Sequence, residues 1–439
     1  MKFEKIFYVV ISAILITAFI MVSYISPPFT SGSGSAPLLK KIYFADNISK
    51  AHQKVIDTFN KKYAGKIEVV PINLSFDKFS TNERKELLAR YLRSKSERVD
   101  IFSVDQIWVP RFAKWGVPLE KYLTPEQTDN LLSFAVESCV YKDTLVAVPL
   151  YIDIAIMYYR DDILRKLPDY QDVIKKINNS VTWEDFLKIQ SQLGSYNNSF
   201  FTFQADDYEG LICIFAEMMS QQNRPFIDNG YLHLTTPEAE KTLQLLVDLV
   251  HKYDASPEKV SSFKEYQSYD YFMQNNGVFL RAWPGFMSDE NRALNLNKNV
   301  VQFLHKAPTP HFKGFKPGSL YGGWNLMISQ YSLNIPEVAR FVNFLLSEES
   351  QKIMYEEGGV LPVLNSIYND SDYVNKHPDL RFYYSLLKKG LYRPFIEDYT
   401  NISDILSFYV NAAIKKEISV KEALTAASQK IKSGSIFLK

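Results

Sequence analysis

The chain has 439 residues, enough for two lobes of ordinary domain size, and 46% of them are hydrophobic, which excludes a globally disordered chain. Lys and Arg number 50 against 49 Asp and Glu, and a net charge of +1 gives no long-range field for nucleic acid. The two cysteines, Cys139 and Cys213, are too few for a disulfide framework or a thiolate zinc site. Both are expected to be buried, free and not bonded to each other.

The N-terminal stretch "MKFEKIFYVVISAILITAFIMVSYIS" places Lys2 and Lys5 before an uncharged apolar run from Ile6 to Ile25. About 20 residues at 1.5 Å each match a ~30 Å hydrocarbon core. Residues 1–26 therefore read as an uncleaved membrane anchor, with a cleaved signal as the alternative. No cysteine follows the run, so a lipoprotein anchor is excluded, and the basic N-terminus puts the body outside the cytoplasm. Residues 27–37, "PPFTSGSGSAP", form a flexible spacer.

From Lys40 the pattern alternates strands and helices. "KKIYFAD", "IEVVPIN" and "VDIFSVD" read as strands separated by amphipathic helices near residues 49–63 and 82–95, an order that implies a parallel sheet with helices on its faces. "TLVAVPLYIDIAIMYYRDDIL" is too long for one strand. Pro149 interrupts it, which predicts two strands meeting at a crossover between lobes. Thr182 caps a helix, "YEGLICIFAEMMSQQ" is apolar all round and buried, and Thr236 caps a long helix with Pro237 in its first turn. Later, "NGVFLRAWPGF" and "VVQFLHKAPTP" predict strands. "GSLYGGWNLMISQYS" sets Gly322 and Gly323 before Trp324, which reads either as a tight turn with a core tryptophan or as a ligand platform. Two helices ending at a glycine pair follow, and "SVKE", Ser419 to Glu422, is a capping box.

Catalytic signatures are missing from the sequence: it has no H-E-x-x-H, nucleophile elbow, Walker loop or dinucleotide fingerprint. The pairs Asp161–Asp162 and Asp206–Asp207 are adjacent residues that point apart, as solvated carboxylates do. What the chain offers is carbohydrate chemistry. Carboxylates and arginines bond the hydroxyl rim of a sugar, and rings cover its C–H faces. The candidates are Asp105 at a strand end, Tyr151 and Asp153 in the crossover, Trp283, Trp324 and Arg393. A strand-end aspartate serves equally as a helix cap, and Trp283 beside Pro284 equally as core.

At these residues the chain resembles the extracytoplasmic sugar-binding proteins of ABC importers, most of all their trehalose/maltose-binding branch. "VDIFSVDQIWVPRFAKWGVPLEKYL", "AVPLYIDIAIMYYRDDIL", "FTFQADDYEGLICIFAEMMS", "NGVFLRAWPGF" and "SLYGGWNLMISQYS" carry the resemblance, which runs from about residue 40 to 435. It implies an α/β, two-lobe periplasmic-binding-protein type II fold with a ligand cleft between the lobes and three crossings. The lobes would be residues 38–150 with 308–358, and 151–307 with 359–439. It also implies Arg84, Asp105, Tyr151, Asp153, Trp283, Gly323, Trp324 and Arg393 as sugar contacts, with Trp324 a ring whose loss costs binding more than folding. Two departures stand out. The loop "ADNISKAHQ" offers Ser49, Lys50 and Asp46 where the branch has a glutamate, and Gly285 stands where it has a tyrosine.

These readings converge on a monomeric, non-enzymatic receptor for a small carbohydrate, an α-linked disaccharide being the expected class. It needs no cofactor or metal, serves ABC permease subunits and works by hinge closure. The rival expectations are a membrane-tethered sugar sensor and a glycoside-processing enzyme.

Overall fold

Residues Lys40–Asp46 form β1, and the alternation of buried and exposed side chains along its first half gives way to a fully buried end. The structure, a computed structural model, describes residues 39–75, 78–79, 81–95, 98–194, 199–287 and 298–434. The proposed anchor and spacer lie outside the described residues. Helix Lys50–Lys62 follows β1, buries Val55, Ile56 and Phe59, and leads to β2 (Ile67–Asn73). Helix Thr81–Arg93 then leads to β3 (Ile101–Asp105), buried along its whole length. β1 pairs in parallel with both β2 and β3, each reached through a helical crossover.

A short hairpin of β4 (Val140–Tyr141) and β5 (Thr144–Leu145) precedes β6 (Val148–Ile154) and β7 (Ile156–Arg160). Here the structure corrects the sequence reading. The chain changes sheets at Ala155, whereas Pro149 lies inside β6. The register against β13 (Tyr321–Ile328) slips at that point: Tyr151 faces Trp324, and Pro149 faces Asn325. Leu150 is thus the extra residue of a bulge, a place where a proline without an N–H is tolerated.

The first sheet runs β2-β1-β3-β13-β6, with β13 antiparallel to both neighbours. β8 (Phe201–Thr202), β11 (Phe279–Ala282) and β12 (Leu304–Ala307) join β7 in the second sheet, ordered β12-β7-β11-β8, and β9 (Ile227–Asp228) with β10 (Tyr231–Leu232) form a separate hairpin. The chain returns to the first sheet between β12 and β13. Helix Glu348–Gly358 packs on helix Lys50–Lys62, and Gly359 ends it in the left-handed conformation (φ 67°). Helix Tyr399–Ile414 instead packs on helices Glu209–Gln221 and Pro237–His251.

Local signals translate directly. Thr182 and Thr236 accept from the backbone three residues on, and Ser419 and Glu422 exchange both bonds of their capping box. Helix Glu209–Gln221 is buried nearly all round. Cys139 and Cys213 are both buried and free.

Candidate functional site

A cavity of about 760 Å³ opens where the ends of β3, β6 and β13 face the turn after β11 and the first turn of helix Glu209–Gln221. Asp105, Tyr151, Asp153, Trp283, Gly323, Trp324 and Arg393 all line it. Arg84 does not. It is 2% exposed, with its guanidinium carbon 4.3 Å above the Trp324 ring and Nη2 bonded to Asp46 Oδ1 at 3.2 Å. Arg84 thus stands behind the ring, because the helix that carries it sets residue 84 on its buried face.

Asp105 terminates β3 and does two jobs. Its Oδ1 accepts from the Ile107 N–H at 3.2 Å, capping the following turn, and from Arg393 Nη2 at 2.8 Å. Arg393 Nη1 also donates to Glu209 Oε1 at 2.7 Å, so one buried guanidinium bridges a strand end of the first sheet and a helix start beside the second. Glu209 further accepts from Tyr399 and Ser403 hydroxyls. Burial pushes its carboxyl upward, with Arg393 pulling against that shift.

Gly322 and Gly323 lie within β13 rather than in a turn. Gly323 has φ +132°, and a Cβ there would stand 2.7 Å from the Tyr151 carbonyl oxygen, so neither the conformation nor the strand spacing accepts a side chain. Trp324 follows on the cavity wall, 8% exposed, with Trp108 set edge-on at 5.3 Å. One of its faces is thus covered by Arg84.

At the first departure from the sugar-binding branch, Ser49, Lys50 and His52 reach the cavity, while Asp46 is buried behind them. Asp46 is held by Arg84, by the Ser103 hydroxyl and by His52, whose Nε2 stands 3.3 Å from Oδ2. The Ser49 N–H donates to His52 Nδ1 at 3.4 Å, which turns the other ring nitrogen toward Asp46. At the second departure Gly285 lines the cavity, and Tyr269, packed 4.5 Å from Phe286, supplies a ring nearby.

Asp153 has a buried Oδ1 with no hydrogen-bond partner among the described residues. Burial, reinforced by the charge of Asp105, pushes its carboxyl up to about 7. Such an oxygen is stabilised by any donor that enters the cavity. Sequence reasoning missed His52, Tyr208, Glu209, Glu265 and Tyr269, which also line it. Tyr208 and Glu209 were legible only as the start of an apolar helix. Among the described residues no cluster of three or more His, Cys, Asp or Glu could hold a metal ion, and no helix is long and apolar enough to cross a membrane.

Residues 45–352, more than half of the chain, match the family described as bacterial extracellular solute-binding protein. The chain belongs to that family. A probable ABC transporter-binding protein of Deinococcus radiodurans is 25% identical over 379 residues, covering 85% of this chain and 87% of its own. Among solved structures, maltose-bound T. maritima MalE3 superposes with a TM-score of 0.80 at 24% identity, over 90% of this solute-binding protein and 100% of that chain. An ABC transporter solute-binding protein from Thermotoga lettingae, bound with α-D-tagatose, gives 0.77 at 21% identity over 90% and 99%. These likenesses establish the α/β two-lobe fold.

Proposed function

We propose that this solute-binding protein captures a small carbohydrate, an α-linked disaccharide being the expected class, and presents it to the permease of an ABC importer. One observation carries the reading: indole rings and hydrogen-bonding acids converge on a single cavity. Trp283 and Trp324 offer flat apolar area, while Asp105, Asp153 and Glu209 offer acceptors to hydroxyls. A sugar presents that combination of faces and rim. The relatives that bind maltose and tagatose support it.

The protein acts without catalysis, as a monomer outside the cytoplasm, tethered by its N-terminal apolar segment. Sugar touching both sides of the cavity favours the closed state by its differential affinity for it. A thermal-shift and calorimetric panel of maltose, trehalose, tagatose and mannitol tests this. Saturable binding of at least one, with no release of reducing sugar, is expected. No shift with any of them, or turnover of a glycoside, overturns it.

A further inference from the structure

Beyond the cavity, two helices meet across the cleft. Helix Thr81–Arg93 precedes β3 of the first sheet, and helix Tyr399–Ile414 packs on the helices beside the second. Asp404 Oδ1 accepts from Asn82 Nδ2 at 2.8 Å, and its Oδ2 stands 3.2 Å from Lys85 Nζ. One turn earlier, Thr400 Oγ1 accepts from Arg111 Nη1 at 2.8 Å, and Arg111 Nη2 is tied at 2.8 Å to Glu86 on the first helix.

The burial is lopsided. The Lys85 side chain is 3% exposed and that of Asp404 45%. A covered ammonium is costly unless it is paired, and among the described residues Asp404 is the carboxylate within ion-pair distance. None of Asn82, Lys85 and Asp404 lines the central cavity. Separating the lobes would part these groups and return both charges to water, so the contact counts only in the closed form.

We propose that Asp404 is a positioning residue for ligand capture, latching the closed cleft through Asn82 and Lys85 without touching the ligand. The inference rests on the sugar-receptor reading. Because the latch acts on closure, its loss speeds ligand release and leaves the ranking of ligands unchanged. A half-exposed pair is also screened, so added salt speeds release from the wild type more than from a variant without the charge.

The test compares wild type with D404A and D404N, titrated with maltose, trehalose, tagatose and mannitol and followed by stopped-flow release. X-ray scattering of the ligand-free proteins adds a readout that needs no sugar. D404A should weaken every bound sugar by about three- to tenfold through release, with association and ranking preserved. D404N, which keeps an acceptor for Asn82, should fall between. Ligand-free D404A should show the larger radius of gyration. Wild-type release rates and dimensions in D404A overturn the latch, as does a changed ranking, which would make Asp404 a direct contact. If the wild type binds none of the sugars yet D404A expands, the latch stands and the sugar reading falls.

Discussion

The ring of Trp283 rests on Gly322. A methyl group at position 322 would sit 2.9 Å from Cζ3 and 3.2 Å from Cη2 of that ring. Trp283 follows β11 of the second sheet, and Gly322 lies within β13 of the first. A bare backbone in one sheet is thus the seat for an indole carried by the other. Arg281 lies 5.2 Å from the ring centroid and helps fix its plane.

Neighbouring glycines should therefore respond differently to alanine. Gly322 has an ordinary φ, and its obstacles are the far edge of a half-buried ring, which can swing away, and the Asp153 Cβ at 3.2 Å, which needs to yield only slightly. Gly322→Ala should cost only about 1 kcal/mol of stability while displacing Trp283 and weakening sugar binding tenfold or more, about 1.4 kcal/mol. Gly323→Ala meets backbone at 2.7 Å in a conformation that side chains avoid. It should destabilise by about 3 kcal/mol or more. Denaturant melts beside calorimetric titrations separate the two, and equal stability losses would contradict this account.

Trp324 departs from the expectation that its loss spares the fold. With Arg84 on one face and Trp108 at its edge, it is core as well as cavity wall. Trp324→Ala should lower stability by about 3–5 kcal/mol in the ligand-free protein, and binding should weaken in the folded fraction too. Trp324→Phe isolates the second effect by keeping most of the buried ring. A phenylalanine variant with full affinity would show that the indole contributes only to packing.

How much of this was readable in the sequence depended on the range of the interaction. β1 and β2 fall on the residues that their apolar patterns marked, and the Thr182, Thr236 and Ser419 caps rest on partners three residues away. Seven of the eight candidate contacts share one cavity, and five of them sit on the adjacent strands β3, β6 and β13. What was hidden is non-local. Gly323 needs its positive φ because β6 passes close by, Pro149 is tolerated because a bulge forms opposite Asn325, and Arg84 faces inward because of Asp46. Glu209 matters through Arg393, 184 positions later, and nothing near either residue announces the pairing.

That pairing makes a prediction about charge. Arg393→Met leaves Asp105 and Glu209 buried without their cation, which should cost about 3–5 kcal/mol. The loss should be worst at alkaline pH and ease as acidification protonates Glu209, whose carboxyl burial already pushes up. Adding Glu209→Gln to Arg393→Met should recover part of the stability at neutral pH. Melting curves across pH decide it: a penalty independent of pH would mean that lost packing, rather than the uncompensated acids, is responsible.

Asp153 should give ligand binding a pH dependence of definite sign. Its carboxyl sits at about 7 in the ligand-free protein against an ordinary 3.8, because burial and the charge of Asp105 disfavour ionisation. The folded state therefore holds a proton that the unfolded chain has released, and this group's contribution to stability falls as pH rises from about 4 to about 7. A sugar hydroxyl donating to Asp153 favours the ionised form and draws the value back down. Binding near neutrality should then release a proton, and affinity should tighten as pH climbs from about 6 to about 8. Tyr151, Tyr368 and Asp105 are the other titratable neighbours, and the tyrosines stay protonated throughout that interval, since burial raises both well above their ordinary value. Asp153→Asn should abolish the proton release and weaken binding, yet leave the ligand-free protein at least as stable as wild type at about pH 8, since a neutral amide escapes the penalty on the buried charge. Calorimetry in buffers of different ionisation enthalpy counts the proton directly. Proton uptake on binding, or a release that persists in Asp153→Asn, would place the titrating group elsewhere.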